Sequence, residues 1–247
     1  PFISKMPNSE LMAVMVGGFA TVAGGVMAIY VGMLKNIPGI AGHLMAASIM
    51  SAPAALVIAK IIYPEKDKTD INKTINLNTI NNESNVLEAL GNGATDGLKL
   101  AANIAAMLVA FVALISLTNY ILSIFGTSLE DILGYIFMPL AYLMGAPWED
   151  SQILGSLLGQ KIVLTELIAY MNLREMQVGV DISEKTAILA SYALCGFANF
   201  ASIGIQLGGI GSIAPERKKD LAKLVTKAMF GGALASWLTA TIAGILI

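Results

Sequence analysis

Gly159-Gln160-Lys161-Ile162-Val163-Leu164-Thr165-Glu166-Leu167-Ile168-Ala169-Tyr170 sets one acid, Glu166, among apolar neighbours, with Gly155 and Gly159 just before it. Further along, Cys195-Gly196-Phe197-Ala198-Asn199-Phe200-Ala201-Ser202 interrupts a second long apolar run. Ionisable and polar groups are costly in hydrocarbon, and they persist there where they face a partner, a cavity or a transported solute. The two segments therefore predict broken, partly re-entrant helices around a polar path through a membrane.

Working outward, the composition agrees. Hydrophobic residues make up 56% of the 247 and charged residues 13%, against about a quarter charged in soluble domains. Mean hydropathy is +0.72. Apolar blocks near 11–34, 44–62, 100–125, 186–213 and 228–247 each approach or exceed the ~20 residues a spanning helix needs. The blocks near 130–147 and 150–170 are interrupted by Pro139, Pro147, Trp148, Glu149 and Asp150, so they read as re-entrant or interfacial. A net charge of −2 carries no nucleic-acid footprint. The single cysteine, Cys195, leaves no internal disulfide, and the single histidine, His43, weighs against a histidine-based metal centre. The chain starts at Pro1 and reads as a fragment of a longer protein, cut on its N-terminal side.

The expected layout is spans at about 8–34, 43–62, 88–125, 185–213 and 221–247, a polar loop at 63–87, and an interfacial or re-entrant region at about 128–180. Asn8-Ser9-Glu10 reads as a helix start, a capping residue followed by an acid in the first turn. Gly17, Gly18, Gly24 and Gly25 flank Phe19-Ala20-Thr21-Val22-Ala23. Two readings stay open there: close packing through small residues, or a helix broken at mid-membrane whose freed carbonyls line a site. Asp96 and Lys99 form an i,i+3 pair, and Asn103 sits deeper on the same helix. Basic residues cluster at Lys60, Lys66, Lys68 and Lys73 and again from Arg217 to Lys227, which places both clusters in the cytoplasm.

Several residues carry two readings. Glu166 holds a solute, or it pairs with Lys161 five residues earlier. Asn199 and Ser202, three apart, share one helical face and bind a solute or bond between helices. Cys195 reads as an inert packed thiol and His43 as an interfacial side chain.

At this point four motifs resemble those of the concentrative nucleoside transporters. They are the Gly159–Tyr170 stretch, Tyr192–Gly204 around Cys195-Gly196-Phe197-Ala198-Asn199, Gly17-Gly18-Phe19-Ala20-Thr21-Val22-Ala23-Gly24, and Ala214-Pro215-Glu216-Arg217-Lys218-Lys219-Asp220. They lie in register along essentially the whole chain. The family has Asn, Phe and Val where Thr165, Leu167 and Ile168 stand; Thr165 is the departure that bears on polar contacts at the hairpin tip.

The resemblance implies an all-α integral membrane fold: a multi-span helical transporter with a re-entrant helical hairpin and discontinuous helices, assembled as a homotrimer. Residues 1–247 would be its C-terminal transport portion. They would hold the second hairpin (about 148–180) and both broken helices, and lack the first hairpin's tip with its Gln-Thr-Glu motif and ion ligands. By matching positions Glu166, Asn199 and Ser202 would hold the ribose, Phe197 would lie beside the substrate, and Val26 would lie against the nucleobase. Thr21 through its hydroxyl and Val22 through its carbonyl would be part of a sodium site, hard oxygens suiting a hard cation. The expected activity is sodium-coupled import of nucleosides, with the hairpins and broken helices moving together as an elevator. A proton-coupled nucleoside or nucleobase transporter of the same fold is the alternative; an ion channel is the alternative of another class. One histidine, one cysteine and no dense acidic cluster in the apolar blocks argue against an enzyme. The expected partners are a nucleoside, sodium and the lipid bilayer, with no organic cofactor and no nucleic acid, in a multi-pass protein of the cell membrane.

Overall fold

A computed structural model of the chain describes residues 3–65, 85–179 and 182–247. Most of the expected polar loop, and the side chains of Asp96, Lys99 and Asn103, lie outside the described residues. Among those described, the regular structure is helical: α1 (Asn8–Ala20), α2 (Gly24–Met33), α3 (Ile40–Ile62), α4 (Val86–Ser123), α5 (Leu129–Leu143), α6 (Trp148–Val163), α7 (Glu166–Gly179), α8 (Glu184–Leu194), α9 (Phe200–Ile213) and α10 (Lys218–Leu246).

Both long apolar runs are broken. α1 and α2 are separated at Thr21-Val22-Ala23, and α8 and α9 at Cys195–Asn199. The glycine-flanked segment in the first run thus marks a break. Among the described residues, three stretches are long and apolar enough to cross a membrane, Asn8–Met33, Ile40–Ile62 and Pro215–Leu246; α5 and α6 form a further apolar pair bent by 119°. Large apolar side chains stand exposed on the outer faces, among them Ile49, Leu56 and Ile61 of α3 and Val109, Leu114 and Leu117 of α4. Water would penalise such faces, whereas lipid tails solvate them. The chain is therefore an all-helical, multi-span membrane protein with a re-entrant hairpin and discontinuous helices.

Inside, α1, α3, α8 and α10 pack together, and α5 lies along α6. Between helices in lipid, association depends on close van der Waals packing, and glycines make it possible here. A Cβ on Gly232 of α10 would lie 2.3 Å from the Phe19 side chain of α1, and one on Gly155 of α6 would lie 2.6 Å from the Gly134 carbonyl oxygen of α5. The hairpin is α6 and α7, turning at Leu164-Thr165. Its arms are joined where Asn172 Nδ2 donates to Gln160 Oε1 at 2.6 Å.

Caps explain where several helices begin. Asn85 caps α4, Ser128 and Asp131 form a reciprocal capping box on α5, and Ser183 caps α8. The start of α1 differs from expectation. Its N-cap is Pro7 and no side chain caps it. Asn8 instead accepts a bond from Arg217 Nη2 at 2.9 Å, and Ser9 donates to Glu65 at 2.6 Å. These two side chains serve tertiary contacts in place of the local cap their sequence suggests.

Candidate functional site

The two breaks meet. Gly196 has φ +104°, a region that side-chain-bearing residues rarely enter. A Cβ there would sit 2.6 Å from the carbonyl oxygen of Ala20 and 2.8 Å from that of Phe19. Glycine at this position lets the α8–α9 break cross directly over the C-terminal end of α1. The hairpin tip completes the junction, since Glu166 is the first residue of α7.

Beside this crossing lies a cavity of about 410 Å³, within the ~300–1,000 Å³ common for small-molecule sites. Its walls are mostly apolar, with Phe19, Val26, Ile29, Leu167, Phe197 and Ile205 among them; its polar groups are Tyr30, Thr165, Glu166, Asn199, Ser202 and Gln206. Glu166 is 4% exposed. Its Oε1 accepts from the Tyr30 hydroxyl at 2.9 Å and its Oε2 from Asn199 Nδ2 at 2.8 Å. A carboxylate offers about four lone-pair sites; these two donors and the backbone N–H of Glu166 itself leave acceptor capacity for a ligand. Asn199 is fixed from its other end, its Oδ1 accepting from the backbone N–H of Ser202 at 2.8 Å. It is therefore the N-cap of α9 and stands outside the helix. The expectation that Asn199 and Ser202 share a helical face is corrected: capping, rather than helical periodicity, brings the two together.

The alternative reading, a pairing of Glu166 with Lys161, gives way to another arrangement. Lys161 is wholly buried, and its ammonium donates to the carbonyls of Ala193 (2.8 Å) and Cys195 (3.3 Å) and to the Ser236 hydroxyl (2.6 Å). These carbonyls end α8 and would otherwise lack partners. Cys195 is itself buried, at the C-cap of α8. Thr165, in place of the family's Asn, accepts from the N–H of Ile168 at 3.4 Å and so supports the start of α7.

Of the residues singled out from sequence, Glu166, Asn199, Ser202, Phe197 and Val26 all line this one cavity. Thr21 and Val22 lie in the α1–α2 break, outside the cavity lining. Thr21 Oγ1 donates to the Gly17 carbonyl at 2.9 Å, which spends its hydrogen and leaves the oxygen as an acceptor. The Ala23 carbonyl accepts from Met27 and begins the α2 ladder, so the Val22 carbonyl falls outside it. A hydroxyl and a free backbone carbonyl, at the negative end of α1, are a donor set that fits a hard monovalent cation.

Sequence reasoning passed over Tyr30 and Gln206, and it named Lys161 and Asp150 without their actual partners. Tyr30, wholly buried, stacks on Tyr170 with ring centroids 4.4 Å apart and presents its hydroxyl to Glu166. Lys161 has the carbonyl cage just described. Asp150 Oδ2 accepts from Ser183 N–H (3.0 Å), Ser183 Oγ (2.6 Å) and Thr186 Oγ1 (2.6 Å), pinning the base of the hairpin to the start of α8. Gln206 lines the cavity and donates to the Met15 carbonyl at 2.9 Å, which ties α9 to α1. Each interaction joins segments distant in sequence, and only the apolar surroundings of a lone polar residue could have signalled it.

Comparison with known proteins adds four findings. A family model described as Na+ dependent nucleoside transporter C-terminus matches residues 43–244. The chain is 45% identical over 255 residues to an uncharacterized transporter, YutK, of Bacillus subtilis (strain 168), covering 100% of this chain and 62% of that protein. It is 40% identical over 267 residues to sodium/nucleoside cotransporter 2 of Mus musculus, covering 100% of this chain and 40% of the other. Among solved structures, CNTnw in an inward-facing substrate-bound state superposes with a TM-score of 0.88 at 42% identity, over 99% of this chain and 59% of that one. The chain thus spans less than two thirds of the length of these relatives.

Proposed function

We propose that this chain, which belongs to the Na+ dependent nucleoside transporter family, forms the C-terminal part of a secondary transporter that imports nucleosides on a sodium gradient. It is a multi-pass protein of the cell membrane. The observation that carries the reading is Glu166: a buried carboxylate held by two side-chain donors, with acceptor capacity to spare, in an apolar-walled cavity where two broken helices cross.

The roles follow from the chemistry. Glu166 accepts from ribose hydroxyls, a charged acceptor making bonds of about 1.5–3 kcal/mol. Asn199, whose Nδ2 carries a second hydrogen, and Ser202 contact the same sugar. Phe197 offers a ring face to the substrate, and Val26 packs against the base. Thr21 and Val22 contribute a hydroxyl and a carbonyl to the sodium site. Sodium crossing with the nucleoside, down its own electrochemical gradient, would supply the free energy for uptake.

The hairpin, α6 and α7, is bonded to α8 at its base through Asp150 and higher up through Lys161, and Tyr170 donates to the Ser191 carbonyl at 2.8 Å. These bonds support movement of hairpin and broken helices as one body against a scaffold that includes α4. The exposed apolar residues of α4 support a surface turned to lipid and to the other protomers of a homotrimer. Uptake of radiolabelled uridine into proteoliposomes holding the full-length transporter tests the reading. Sodium replaced by choline should abolish accumulation; undiminished uptake would end the sodium assignment.

A further inference from the structure

We propose that Lys161 is a tethered monovalent cation, filling an oxygen cage at the α8–α9 break so that this break binds no free ion. The ammonium lies 2.8 Å from the Ala193 carbonyl, 3.3 Å from the Cys195 carbonyl and 2.6 Å from the Ser236 hydroxyl. Lys161 is 0% exposed, and among the described residues no carboxylate lies within ion-pair distance of it. A buried charge is otherwise paired with an opposite charge or held by dipoles. Here the groups in direct contact are dipoles, two carbonyls at the negative end of α8 and one hydroxyl, and Glu166 acts on the charge only from beyond bonding distance.

The donor count identifies the charged form. An ammonium has three N–H bonds for three acceptors. A neutral amine has two, and the third oxygen could be served only if Ser236 turned its own hydrogen to the nitrogen. That hydrogen is already directed along α10, with the Ala233 carbonyl 2.9 Å away. The three oxygens therefore solvate a cation, much as a coupling ion is solvated.

The donor types are those of the first break, where the Thr21 hydroxyl and Val22 carbonyl stand at the end of α1. The two breaks differ in what they are suited to hold. Among the described residues, the first presents oxygens with no cationic side chain bonded to them, and the second has a cation carried by the hairpin. An attached cation cannot leave, so the first arm of the hairpin stays bonded to α8 and to α10 through the whole cycle. Ion exchange is confined to the first break. Only this comparison rests on the transport reading; the cage itself stands on its geometry.

The test is chemical rescue of full-length Lys161→Ala. Alanine removes the side chain beyond Cβ, which n-propylammonium matches in length and charge. The purified variant should melt several degrees below wild type. Millimolar n-propylammonium should recover most of that loss, whereas n-propanol, similar in size and neutral, should not; wild type should respond to neither. If the variant does not fold, the readout becomes the yield of folded protein from cells grown with each compound, with the same order expected. Equal rescue by the alcohol would reduce Lys161 to a space filler, and failure of the amine to rescue would overturn the cage. Neither result depends on nucleoside or sodium, so the transport reading stands or falls separately.

Discussion

Replacing Glu166 by Gln changes charge with almost no change of shape, and the structure says how the site would respond. Asn199 cannot turn its amide round, because its Oδ1 is bonded to the N–H of Ser202. The new carboxamide therefore points its oxygen at Asn199 and its NH2 at Tyr30, whose hydroxyl can accept. Both protein contacts survive, and the fold with them. What is lost is the charged acceptor. A hydrogen bond to a charged group contributes about 1 kcal/mol or more beyond a neutral one. Over two ribose hydroxyls the loss is about 2–3 kcal/mol, or roughly 30- to 150-fold in affinity. Nucleoside binding to the purified full-length variant, by calorimetry, should show this loss with a near-wild-type melting temperature. A 2′,3′-dideoxynucleoside should bind weakly to both proteins, with little difference between them. Near-normal affinity of the variant for uridine would refute the reasoning. So would an equal fall for the dideoxy compound, which would place the sugar elsewhere.

Thr21→Val keeps shape and removes an oxygen, so the sodium concentration for half-maximal uptake should rise about tenfold, equivalent to ~1.4 kcal/mol, with nucleoside affinity at saturating sodium unchanged. Gly196→Ala introduces a side chain at φ +104° and only 2.6 Å from the Ala20 carbonyl oxygen; strain of about 1–3 kcal/mol should lower the melting temperature and weaken both nucleoside and sodium binding, where an innocuous substitution would leave both intact. Tyr30→Phe keeps the stack on Tyr170 and removes one donor from Glu166, which should cost about 1.5–3 kcal/mol of stability in thermal or denaturant unfolding. At the membrane edge, hydrogen bonds from Lys60 and then Ser9 hold the Glu65 carboxyl below its ordinary range. Its contribution is therefore full above the ordinary carboxylate pKa and is lost as pH falls through the depressed one; melting curves of wild type and Glu65→Gln should differ at neutral pH and converge in acid.

Much of the fold was legible because hydrocarbon imposes a strong rule on sequence. Long uncharged blocks marked the three long apolar stretches, and Pro147 with Glu149 marked the bend between α5 and α6; the interruption expected at Pro139 is absent, because α5 runs through it. A lone acid at Glu166 marked the place where a polar group needs a reason to stay. The glycine-flanked Thr21 segment was ambiguous, because glycine serves close packing and unwinding alike. It does both here: Gly18 lies against Gln206, and the break follows at Thr21.

Sequence by itself therefore determined the solvent this protein lives in, its helical class, and which polar residues are out of place there. Tertiary structure decided how those residues meet. Tyr30 reaches Glu166 across 136 positions, and Lys161 reaches Ser236 across 75. Such partners carry no mutual signal in a single chain. Helical periodicity relates residues a turn apart, while the contacts that build the cavity arise where one broken helix crosses another.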